Sequence, residues 1–93
     1  MNSFQYMFEI MSDEELKKIT LLYENAINNF VNFATVDSMM GLNAAIKLCK
    51  DGSTVNIPVE LALVPLEIIF AITMKEKMEQ ELFRRDMENA NSE

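Results

Sequence analysis

Residues 57–74, Ile-Pro-Val-Glu-Leu-Ala-Leu-Val-Pro-Leu-Glu-Ile-Ile-Phe-Ala-Ile-Thr-Met, decide how this chain folds. From Leu61 to Met74 the stretch is almost wholly apolar, with Glu67 inside it and Glu60 just before it. Pro58 stands at a helix-start position, with Asn56 or the residue after it as the cap, and the pattern predicts one long helix over 57–90. Pro65 must kink that helix or delay its start, because the ring removes a backbone donor and crowds the preceding turn. Glu60 and Glu67 are seven apart, which on a continuous helix puts both on one solvent edge. The run is too short for the roughly 20 residues that span a bilayer, and Glu67 would sit near its centre, so membrane insertion is rejected. A helix apolar nearly all round needs cover on every side, and a chain this short has little to offer. Ile68, Ile69, Phe70, Ile72, Met74, Met78 and Leu82 are therefore expected to meet another copy or another protein.

Downstream the pattern turns polar. Lys75 and Glu79, Lys77 and Glu81, Glu81 and Arg85, and Arg84 and Glu88 are each four apart, the spacing of ion pairs along a solvated helix. Met74, Met78 and Leu82 continue one apolar seam, and Phe83 with Met87 forms a second.

Upstream, Gly52 reads as the left-handed residue that ends a helix over 37–51, capped by Thr35 or Asp37, with Met39, Leu42, Ile46 and Cys49 on one face. Asp51-Gly52 between Ile46, Leu48 and Val55, Ile57 also fits a hairpin at 45–57, the α+β alternative. Ser12 and Glu15 form a capping box that starts a helix over 12–34, with Met11 able to staple onto Leu16. Its apolar stripe runs through Leu16, Ile19, Tyr23, Ala26, Phe30 and Phe33, widened by Leu22, Ile27 and Val31. Asn25, Asn28, Asn29 and Asn32 gather on the opposite side, either a solvated strip or a polar interface. Residues 1–10 read as an accessory arm whose Phe4 and Phe8 are apolar anchors; Met11 could itself be a start.

These elements describe one all-α domain over 1–93, a small bundle of three to four helices with a long, Pro-interrupted C-terminal helix. Two Gly and two Pro are too few for the turns of an all-β fold. Eight Met either fill the core or give an adaptable surface, and Met39, Met74 and Met78 sit at core spacings.

The chemistry is narrow. The chain has no His, which removes the commonest general base and zinc ligand and every Ser-His or Cys-His arrangement. Cys49 is alone, cannot form an intramolecular disulfide, and is expected as an inert thiol in a reducing cytoplasm. Gly41 and Gly52 are too far apart for a phosphate-cradling loop. A net charge of −7 opposes direct binding to nucleic acid or anionic lipid. No secretory leader pattern is present in the first ten residues.

The reading is a non-enzymatic interaction protein without cofactor or metal, self-associating as a homo-oligomer or occluding a partner. In its sharpest form it is an acidic inhibitor of a basic, nucleic-acid-binding protein, of phage or mobile-element type. The alternative is a helical oligomer that sequesters a small molecule between helices, touched by Asn or Lys. Ile69→Asp and Phe70→Asp are predicted to unfold or dissociate the protein, because a buried unpaired charge costs several kcal/mol. Circular dichroism and light scattering read the outcome, and two folded variants of unchanged mass would refute the core assignment.

Overall fold

Pro65 sets the architecture by breaking the apolar run in two. In this computed structural model, which describes residues 3–52 and 56–91 (side chains from residue 6 to residue 90), the run does not form one helix. Val59–Leu63 makes a 3-10 helix, η1, and Leu66–Asn91 makes a 26-residue α-helix, α4. Val64, forced away from helical geometry by the following proline, is extended (φ −94°, ψ 120°). The Pro65 carbonyl accepts the first bonds of α4, from the amides of Ile68 (3.0 Å) and Ile69 (3.1 Å). The proline therefore delays the helix start rather than kinking a continuous helix, and Glu60 and Glu67 fall on different elements. Pro58, not Asn56, caps η1; Asn56 instead adopts a left-handed conformation (φ 61°).

Three further helices precede η1: α1 (Ser3–Glu9), α2 (Asp13–Asn32) and α3 (Val36–Asp51). The capping box at α2 is complete, with Ser12 Oγ accepting from the Glu15 amide and Glu15 Oε1 accepting from the Ser12 amide, both at 3.1 Å. Thr35 caps α3 and Ser38 returns the bond, a second reciprocal box. Gly52 ends α3 in the left-handed conformation (φ 66°), and its amide bonds to the Leu48 carbonyl. Helix therefore occupies 45–51, where the hairpin alternative needs a strand; no strand occurs among the described residues, and 53–55 lie outside them. The fold is all-α.

Helix α4 runs antiparallel to α2 and holds two cores. In the first, Phe8 of α1, Leu16 of α2, and Met74 and Met78 of α4 are buried together, with Met11, Ile19, Tyr23 and Leu82 packed around them. In the second, Leu42 and Ala45 of α3 meet Val64 and Ile72, with Leu61, Ile68 and Ile69 alongside. Phe8, Ile72, Met74 and Met78, expected at an intermolecular interface, are thus core residues of this chain. Phe8 of α1, Leu61 of η1 and Val64 supply part of the cover for α4.

The molecule is nonetheless open. Its radius of gyration is 15.0 Å, against about 12 Å for a compact chain of this length. Its accessible surface is 6698 Å², against roughly 5,500 Å² for a folded monomer of this mass.

Gly41 is where α3 and η1 touch. A methyl group there would collide with the Glu60 carbonyl and approach Val64 Cγ2 to 3.1 Å. The obstacle is backbone, which cannot rotate aside, so η1 would have to move. Gly41→Ala, which should favour an isolated helix by about 1 kcal/mol, is predicted to destabilise this protein by about 1–3 kcal/mol. Leu42→Ala, a cavity at a residue only 2% exposed, should cost about 2–5 kcal/mol. Thermal unfolding checks both, and a Gly41→Ala protein as stable as wild type would refute the close approach.

Candidate interaction surface

The Pro65 break leaves large apolar side chains pointing outward at one end of the bundle. Helix α2 finishes with a tightened turn, in which the amides of Phe33 and Ala34 bond to the carbonyls of Phe30 and Val31 at 3.2 Å. Phe33 follows the last helical residue and swings out of the stripe to 89% exposure. Val36 opens α3 on the same turn and is also exposed. In η1, whose three-residue repeat cannot keep alternate residues on one buried face, Val59 is 85% and Leu63 about half exposed. Leu66, at the first turn of α4, is 82% exposed.

Two grooves flank η1. The larger, about 520 Å³, lies between the α2–α3 turn and the start of α4, walled by Phe30, Phe33, Leu63, Pro65 and Ile68, with Asn29 and Glu67 at its margin. The smaller, about 460 Å³, is lined by Val59, Val64, Leu66 and Ile69 with Ile57 and Pro58. A separate cleft of about 400 Å³ beyond η1 carries Lys47 and Asn56 over Ala44, Ile57 and Leu61.

The residues expected at an interface are placed as follows. Ile68 and Ile69 are half-buried beside the second core and Leu82 beside the first, each presenting only an edge. Phe70 is 48% exposed, its ring meeting Tyr23 edge-on at 6.0 Å. Phe70→Asp would therefore lose a ring contact rather than bury a charge, and its predicted effect is smaller than full burial implied. Phe4 lies in α1, but its side chain is outside the described residues. Asn25, Asn28, Asn29 and Asn32 are all exposed; they divide between the groove margin (Asn29) and a cleft against α3 and α4 (Asn28) rather than forming one contact.

Phe33, Val36, Val59, Leu63 and Leu66 are the surface residues that sequence reasoning missed. Their signal was position: each lies at a helix terminus or beside a proline, where helical periodicity no longer assigns a buried side.

No chemistry converges on this surface. Among the described residues no three His, Cys, Asp or Glu side chains gather as a metal site. Cys49 is half-buried, its Sγ 3.2 Å from Thr73 Oγ1. Among the described residues, no helix is long and apolar enough to cross a membrane.

The strongest electrostatic cluster lies at the far end. Arg85 donates to Asp13 Oδ1 (2.7 Å), to the Phe8 carbonyl (2.8 Å) and to Glu81 Oε2 (2.8 Å), tying α1, α2 and α4 together. Glu81, whose side chain is 10% exposed, also accepts two bonds from Arg84. Hydrogen bonding to Arg84 and Arg85 holds its carboxyl below the usual 4.5, against the opposing effect of burial. The Lys77–Glu81 pair expected from spacing is displaced by these guanidinium forks, whereas Lys75–Glu79, Arg84–Glu88 and Arg85–Glu81 form.

A carboxyl whose pKa is lower folded than unfolded stabilises the fold above its unfolded value, and that contribution disappears as pH falls through the folded one. The stability difference between wild type and Glu81→Gln is therefore predicted to be constant near neutrality and to shrink below about pH 4.5. Urea unfolding across pH 3–7 measures it, and a gap that widens in acid would contradict the assignment.

No family model, curated protein or solved structure matches the chain.

Proposed function

We propose that the protein is a non-enzymatic interaction module that works in a cytoplasmic setting by seating its uncovered apolar end on another protein surface. That surface can belong to a second copy or to a partner whose own site becomes occluded. The single observation that carries this reading is that the grooves flanking η1 are lined by large side chains half or more exposed, Phe33 and Leu63 in one and Val59 and Leu66 in the other. Scattered exposed apolar residues need no explanation, but exposed apolar side chains that line grooves on either side of one short element leave water against surface that association would bury. An acidic exterior, −7 over the chain, adds attraction to basic partners and repulsion between copies. An inhibitor of a nucleic-acid-binding protein fits that charge.

A second reading is supported by the cleft beyond η1, where Lys47 and Asn56 stand over an apolar floor. That arrangement suits a small ligand with an anionic head and an apolar body. Native mass spectrometry of freshly purified protein would detect it as a bound mass removed by Lys47→Ala.

The test of the first reading is the double variant Phe33→Ser, Leu66→Ser, which should keep the wild-type melting temperature because both side chains are mostly in water. Wild type is predicted to gain mass with concentration in light scattering or to retain a stoichiometric partner. The variant should do neither. A wild-type monomer at every concentration with no stoichiometric partner, or a variant that associates as well as wild type, overturns the proposal.

A further inference from the structure

The charge at the margin of the larger groove narrows what can occupy it. Among its described lining residues the one ionisable group is Glu67, set among Phe33, Leu63, Pro65 and Ile68. The groove on the other side of η1 has no ionisable group among its described lining residues. The nearest charged neighbours in sequence are also acidic, the exposed Asp37 in the first turn of α3 and the half-buried Glu60 of η1. Lys47 opens into the separate cleft beyond η1.

Three kinds of occupant can be compared on this ground. A second copy packed symmetrically over the apolar end would bring Glu67 towards its twin, and Asp37 and Glu60 with it, while each copy carries −7. A purely apolar surface would strip water from the Glu67 carboxylate and return no partner, which is costly. A cationic segment satisfies the carboxylate as it covers the apolar walls, and a charge-assisted hydrogen bond is stronger where water is excluded.

Resting on the interaction reading above, we infer that the larger groove receives a cationic amphipathic helix from another protein. An aliphatic or aromatic side chain of that helix seats between Phe33 and Leu63, and a Lys or Arg about one turn away reaches Glu67. The groove is shallow and wide open to solvent, so it can receive anchoring side chains of a partner but cannot enclose a small ligand.

The experiment uses the full chain and three synthetic helical peptides in calorimetry and backbone-amide NMR. One peptide carries Leu and Phe at i, i+3, i+4 and i+7 with Lys elsewhere. The second replaces every Lys by Glu, and the third keeps the Lys composition with the apolar residues shuffled. The Lys amphipath is expected to bind one-to-one, more weakly as salt rises, with amide shifts centred on Phe33, Leu63 and Ile68. Glu67→Gln should weaken it roughly tenfold, the scale of one hydrogen bond to a charged group, and Phe33→Ser should remove saturable binding. Both positions are exposed, so unchanged melting temperatures will show that the variants fold. No binding by the Lys amphipath, equal binding by the shuffled or Glu peptide, or indifference to both variants overturns the inference. Light scattering of the peptide-free samples separates the two levels. Peptide failure with a concentration-dependent mass lost in Phe33→Ser defeats the cationic helix alone, whereas peptide failure with a strict monomer that retains no stoichiometric partner defeats the interaction reading as well.

Discussion

The rest of the structure depends on one constraint, the pyrrolidine ring of Pro65, which removes a backbone N–H, crowds the preceding turn and holds Val64 extended. The apolar run from Leu61 to Met74 therefore does not wind as a single cylinder, and the chain turns between η1 and α4. The turn has two results. It lays η1 against α3, where Gly41 admits the Glu60 carbonyl to a distance no side chain would allow. It also leaves η1 too short to bury all of its own side chains, because three residues per turn spread Val59, Leu61 and Leu63 around the axis. Leu61 packs inward and the other two do not.

Much of the fold was legible in the sequence for reasons that are local. The Ser12–Glu15 box, the Thr35 cap and the Gly52 stop are chemistry within three or four residues, and neighbours alone decide them. The faces of α2 and α3 followed from helical spacing. What was not legible depended on tertiary placement. Phe8 belongs to a seven-residue helix too short to be stable alone, and it is held by Leu16, Met74, Met78 and the Arg85 bond to its carbonyl. Nothing near Phe8 in sequence announces that arrangement. Ile72, Met74 and Met78 find their cover within the chain because Phe8 and Val64, distant or separated by a proline in sequence, pack against them.

Helical spacing and exposure select different residues in this chain. Periodicity finds residues that a regular helix would bury, so it selects core positions along α4. Residues such as Phe33 and Leu66 lie where regular structure starts or stops, and exposure there depends on how the next segment departs. A helix terminus next to a proline or a cap is therefore a better place to seek an uncovered apolar group than the middle of an amphipathic stripe.

The two ends of the molecule are held by different physics. At the α1 end, Arg85 and Arg84 pair with Asp13, Glu81 and Glu88 within the chain, and Phe8, Leu16, Met74 and Met78 of the first core are buried. At the η1 end, Glu67 has no cation among the groove's lining residues, and the surrounding apolar groups face water. A protein with fifteen acids and eight bases must leave some carboxylates without a cationic partner. Most such groups sit on open helix surface, where water solvates them fully and screening makes a partner worth little. Glu67 differs because it stands at the margin of a groove lined by Phe33, Leu63, Pro65 and Ile68, where an occupant of those apolar walls comes within its reach. Hydrophobic burial and charge pairing are thereby coupled at one site, and an occupant that supplies only one of the two gains little.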